Sequence, residues 1–150
     1  MLIKTHPPMT VLFIAHQTSL SGLGNFAGKA VKELYRYVAD LDLLVCGPQY
    51  WFYYGVDGRP DTKFTLEVAL PVHGNIPTAL LPYFKELPSL KCLSYIHEGP
   101  WEELPGVYSK MTSFISEKGL SMNGVYAEAH LNTDMAHPHR NITEVRIGIL

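Results

Sequence analysis

A chain of 150 residues, 47% hydrophobic and 17% charged, has the size and composition of one folded domain and not of a disordered segment. Its net charge of -2 and its scattered Lys and Arg provide no clustered basic surface, so nucleic acid is not expected as a direct partner. No apolar run approaches the roughly 18 to 20 residues of a bilayer span, and the opening MLIKTHPPMTVLFIAH lacks the pattern of a signal peptide. Cys46 and Cys92 have apolar neighbours and no CxxC spacing, so both are expected to be buried free thiols in a cytoplasmic protein.

Thr10 to Gln17 (TVLFIAHQ) is β-branched and apolar and reads as a strand. Ser19 or Ser21 is placed to cap the helix that follows. There Leu23, Phe26, Ala27, Ala30, Val31, Leu34 and Val38 keep helical spacing up to about Leu41. Tyr50 to Tyr54 (YWFYY) reads as a strand with Trp51 and Tyr53 on one face. Turn residues from Gly55 to Asp61 join it to Phe64–Leu70, where Phe64, Leu66, Val68 and Leu70 alternate with Thr65, Glu67 and Ala69. A Pro- and Gly-rich loop is expected from 71 to about 88.

The same order then recurs. Leu90 to His97 is a strand, and Gly99-Pro100 breaks it. Leu104, Val107, Met111, Phe114 and Ile115 form a helical stripe that Gly119 ends. Val125–Leu131 and Thr143–Ile149 are strands joined by the polar stretch 132–141. Gly47 and Gly124, Asp57 and Asp134, and Glu67 and Glu144 are each 77 residues apart. The expected fold is therefore α+β: two strand-helix-strand-strand repeats, about 8–72 and 88–150, in one domain over 1–150. Their antiparallel sheets would carry two main helices outside, with a ligand pocket at the seam.

The segments HEGPWEEL (97–104), AEAHLN (127–132) and TEVRI (143–147) resemble, in order and spacing, the GyrI-like small-molecule-binding domain. This is the effector-binding domain of AraC-type (Rob-like) and MerR-type multidrug regulators. The resemblance covers nearly the whole chain and departs from the family at His130, usually Tyr, and Gly148, usually Pro. It implies curved sheets around a central pocket for lipophilic, often cationic, compounds, with Glu128 as the pocket carboxylate. With the first strand expected near residue 10, no helix-turn-helix precedes it, and a stand-alone sensor or sequestering module is expected.

Tyr126 and His130 share the face of Glu128 on its strand. At the 77-residue offset Trp51 corresponds to Glu128 and would present an indole to a flat cation. Tyr53, Tyr95, Trp101 and Glu144 complete the expected ligand-binding set, Glu144 with the alternative of an ion pair to Arg146 on the surface or rim. No catalytic residue, cofactor or metal is assigned, because His130, His137 and His139 lack the spacing of a zinc site. Two other functions fit the residues less well. One is hydrolysis of reactive electrophiles by a pocket Glu, and the other is docking on a protein partner as an inhibitor.

Overall fold

The computed structural model describes residues 1–150 apart from the side chain of Asn25. The chain divides into two compact units, residues 8–88 and residues 1–7 with 89–150. Each is an antiparallel sheet with one long helix against it.

In the unit of residues 8–88 the central strand is β5 (Phe64–His73). It pairs on one side with β2 (Met9–Thr18) and on the other with β4 (Gln49–Tyr54), while the two-residue β3 (Leu44–Val45) joins its far end. β6 (Phe84–Leu87) then adds to β2. The helix α1 (Leu23–Asp40) buries Ala27, Ala30, Leu34 and Val38, the i, i+3, i+7 and i+11 positions of its stripe, and packs on β2 and β5. Neither Ser19 nor Ser21 caps it. Gly22 holds that position without a side-chain bond, and the two hydroxyls lie 3.1 Å from each other.

In the other unit β9 (Ile142–Ile149) lies between β7 (Leu90–Glu98) and β8 (Met122–Asn132). β1 (Leu2–His6) takes the outer edge of β7. The helix α2 (Leu104–Glu117) buries Leu104, Val107, Met111 and Ile115 against Leu93, Val145, Ile147 and Ile149. It stops where Gly119 adopts a φ of +62°, a conformation that glycine takes without steric cost.

Besides the two-residue β3, which was not expected either, two strands depart from the sequence reading. Residues 2–6 form β1, where no strand was expected before residue 10, and Phe84–Leu87 form β6 inside the expected loop. Both sit on the outer edge of a strand far off in sequence, so short local patterning did not mark them. Cys46 is also corrected: it is exposed beyond the two-residue β3, while Cys92 is buried in β7.

With these strands included, the internal repeat extends further. Lys4 and Lys85, Pro7 and Pro88, and His16 and His97 are 81 residues apart, whereas the later strands keep the offset of 77. The step between the two offsets is the helix, since α1 has 18 residues and α2 has 14. Lys4 opposes Cys92 on β7, and Lys85 opposes Val11 on β2, at equivalent registers. Asp57 accepts the backbone N–H of Arg59, and Asp134 that of Ala136, so both units turn on the same aspartate device.

Gly148 has a local cause. The Asn123 amide sits where a Cβ on residue 148 would go, and its Oδ1 accepts the N–H of Val125 at 3.0 Å, beside the irregularity of β8 near Gly124. Gly148→Ala is expected to push this amide out and cost about 1 kcal/mol, the worth of one hydrogen bond, in urea unfolding.

Candidate functional site

β8 pairs with β9 so that Tyr126 opposes Ile147, Glu128 opposes Val145 and His130 opposes Thr143. These residues therefore face α2, on the core side of the sheet. Glu128 is only 4% exposed, so it is a buried carboxylate and not a solvated one on a strand surface. A carboxylate at this depth needs a donor. Tyr108 of α2 supplies one, its hydroxyl donating to Glu128 Oε1 at 3.0 Å.

Burial, then the charge of Glu128 and the hydrogen bond to it, push the Tyr108 phenol well above its ordinary pKa, so it stays a donor. The Nε2 of His130 lies 3.6 Å from Glu128 Oε2. Burial alone pulls His130 down to about 4, and its imidazole is neutral at pH 7. The ring of Trp101, in a single 3-10 turn at Trp101–Glu103, meets His130 edge-on at 5.2 Å, and Tyr108 and Tyr126 lie 6.3 Å apart. The result is a buried carboxylate among four aromatic rings, one of them a phenol already bonded to it.

The imidazole gives this site a pH signature. The unfolded chain takes up the His130 proton near pH 6.5 and the folded chain only near 4. Its contribution to stability is therefore complete above pH 6.5, falls as pH drops through that window, and is lost below about 4, for a total of roughly 3 kcal/mol. Urea midpoints of wild type and His130→Tyr between pH 7 and 4 test this. The variant should lose less stability than wild type, and parallel curves would contradict a buried neutral imidazole. Some acid loss should persist in both, because burial and Arg146 also lower the pKa of His6.

Tyr95 packs partly buried against the α2 cluster and also lines an open cleft of about 560 Å³ with His97, Glu98, Glu102, Glu103 and Lys110. A second hollow of about 430 Å³ runs along α2 past Met1 and Phe114. Neither reaches Glu128. His97 has a structural task in this unit, with Nε2 lying 3.2 Å from the carbonyl of Pro100 and 3.5 Å from Glu103.

Glu144 lies on the other face of the same sheet, with Arg146 and Ser94, and does not join Glu128. It is buried, not at a surface or rim. Ser94 donates to it at 2.6 Å, Arg146 at 2.7 Å, and Lys4 lies 2.5 Å away. Burial raises its pKa, but the bonds from Arg146, Lys4 and Ser94 outweigh that and hold it at about 2. Glu67 repeats the arrangement in the other unit, 2.7 Å from Lys85, whose ammonium also lies over the rings of Phe13 and Tyr54. Tyr54 is pushed up to about 12 by burial and by Glu67.

In the unit of residues 8–88, Trp51 opposes Val68 and Tyr53 opposes Leu66, both on the face that α1 covers. The Trp51 indole N–H donates to Gln49 at 3.3 Å, and Tyr53 packs on Phe64 at 5.8 Å. Tyr50, Phe52 and Tyr54 form a stacked row on the opposite face. The residue missed by the sequence reading is Tyr108. Its signal was a polar-tipped ring between Val107 and Met111, four residues beyond Leu104 on the buried stripe.

Among the described residues, no group of three or more His, Cys, Asp or Glu is placed to hold a metal ion. Nor is any helix long and apolar enough to cross a membrane.

The model of the family described as GyrI-like small molecule binding domain matches residues 2–150. Curated proteins give no significant match. Among solved structures, an EcmrR–DNA complex superposes with a TM-score of 0.76 at 17% identity, over 99% of this chain and 56% of that one. SAV2435 bound to tetraphenylphosphonium gives 0.65 at 13%, over 100% of this chain and 94% of that one. A hydrolase from Listeria innocua gives 0.68 at 16%, over 99% and 91%. At these identities the likeness shows the fold. The chain spans little more than half of the EcmrR polypeptide.

Proposed function

The chain belongs to the family of GyrI-like small-molecule-binding domains, and on that premise we propose that its ligands are lipophilic aromatic cations that use Glu128 as counter-charge. The observation that carries this reading is the buried carboxylate facing Tyr108, Tyr126, His130 and Trp101. In a site of low dielectric a delocalised cation gains far more from such a carboxylate than it would in water. The surrounding rings add roughly 0.5 to 2 kcal/mol each where they are desolvated. A hydrophilic cation would lose too much hydration to enter. SAV2435, which shares the fold, holds tetraphenylphosphonium, a lipophilic cation of this class. Tyr95 packs against the same α2 cluster as Trp101, Tyr108 and Tyr126, and Trp51 and Tyr53 hold the repeat-equivalent positions within the other unit.

Titration of the protein with tetraphenylphosphonium and with triphenylphosphine oxide, a neutral molecule of similar bulk, tests the reading. The cation is expected to saturate the protein at least ten times more tightly, about 1.4 kcal/mol. Equal affinities would remove the charge from the argument, and no saturable binding of either would remove the proposal.

A further inference from the structure

We propose that the outer edge of β7 is a strand-docking site which a second copy of this chain fills with its own β1, giving a dimer joined by reciprocal strand exchange. The inference is independent of any ligand at Glu128. β1 belongs to the unit of residues 1–7 and 89–150, yet the chain that follows it at once builds the other unit. Only Pro7-Pro8 separate the end of β1 from the start of β2. The contacts that hold β1 come from the far end of the sequence: the five-residue ladder from Leu2–Ser94 to His6–Leu90, the ion pair of Lys4 with Glu144, and His6 at 3.6 Å from the same carboxylate. An identical chain offers the same partners, so exchange preserves every contact of β1 and changes only the link.

The strand is also weakly held. Met1, Leu2 and Ile3 are 46%, 63% and 46% exposed, so β1 depends on its ladder and on one lysine more than on apolar burial. Elements of this kind open at low cost. Two successive prolines restrict the link to extended conformations, which keeps a released β1 pointing away from its own β2. The occupant follows from the register. A strand docking on β7 must place a cation opposite Cys92 to reach Glu144, whose other close partners, Ser94 and Arg146, are fixed in β7 and β9 themselves. Lys4 of a second copy meets that requirement by identity. β6 is the equivalent strand of the other unit, but it pairs with β2 of its own unit, whereas the chain after β1 passes at once into the other unit.

A short tether gives its own strand an effective concentration on the order of 1 mM, so exchange should rise steeply as the protein approaches that range. The test uses two full-length chains in a Cys46→Ser background, one carrying Thr5→Cys and the other Lys91→Cys. Residues 5 and 91 are register partners, and both are exposed. Neither chain can close this disulfide alone. The chains are mixed near 1 mM, held for a day, diluted, and oxidised with glutathione disulfide. Exchange predicts a 5–91 cross-linked heterodimer at least tenfold more abundant than the 5–5 and 91–91 products, as read by intact mass. Unlike links no more frequent than like ones would overturn the proposal.

Discussion

Glu144→Ala is expected to destabilise the unit of β1 and β7–β9 by about 3–5 kcal/mol, the largest loss from any single substitution considered. The carboxylate is buried and receives Ser94, Arg146 and Lys4 at 2.5 to 2.7 Å, with His6 at 3.6 Å. Deleting it takes the carboxylate from the buried Arg146 guanidinium and the anchor from Lys4, and breaking a buried ion pair from one side is the costly case. Glu144→Gln should fall between, since it keeps the acceptor and loses the charge. Because the carboxyl titrates at about 2 and not at 4.5, its contribution is complete above pH 4.5 and is lost as pH falls through 2. Urea unfolding at pH 7, followed by the tryptophans and by far-UV circular dichroism, measures the loss. A cost below 1 kcal/mol would mean that the buried ion cluster contributes little.

Glu128→Gln is expected to weaken tetraphenylphosphonium binding ten- to a hundredfold, or about 1.4 to 2.7 kcal/mol, while barely changing affinity for triphenylphosphine oxide. The amide matches the carboxylate in shape and can still accept from Tyr108, so the substitution isolates charge. Tyr108→Phe should act in the opposite sense. The phenol competes with an incoming cation for Glu128 Oε1, and its removal should tighten cation binding several-fold while lowering the stability of the free protein by about 1–3 kcal/mol. If both variants lose affinity for cationic and neutral ligands alike, Glu128 holds the fold together and does not read charge. Calorimetric titration of the three proteins decides this.

Much of this arrangement could be read from the residue order. The two apolar stripes, the stop at Gly119 and the face shared by Tyr126, Glu128 and His130 follow from periods of 3.6 and 2. β1 and β6 escaped that reading for a physical reason. LIKTH and FKEL are short, carry charges at mid-strand and stand beside prolines, and their stability comes from partners about 80 residues away. Tyr108 looked like an ordinary stripe residue, because nothing local shows that its hydroxyl meets a carboxylate on the next element. Glu144 and Arg146 were recognisable as neighbours, but Lys4 and Ser94, which turn that pair into a buried cluster, come from other strands.

The placement of β1 also sets an order of events during synthesis. This strand leaves the ribosome well before its hydrogen-bonding partner β7, which begins 84 residues after it ends, at Leu90, and Glu144 follows later still. At elongation rates of about 5–20 residues per second that interval is on the order of ten seconds. The unit of residues 8–88 has all its strands by then, so it is able to condense while the leading strand remains unpaired. Translation speed through the second half, and the spacing of neighbouring ribosomes on one message, therefore bear on which nascent chain captures it.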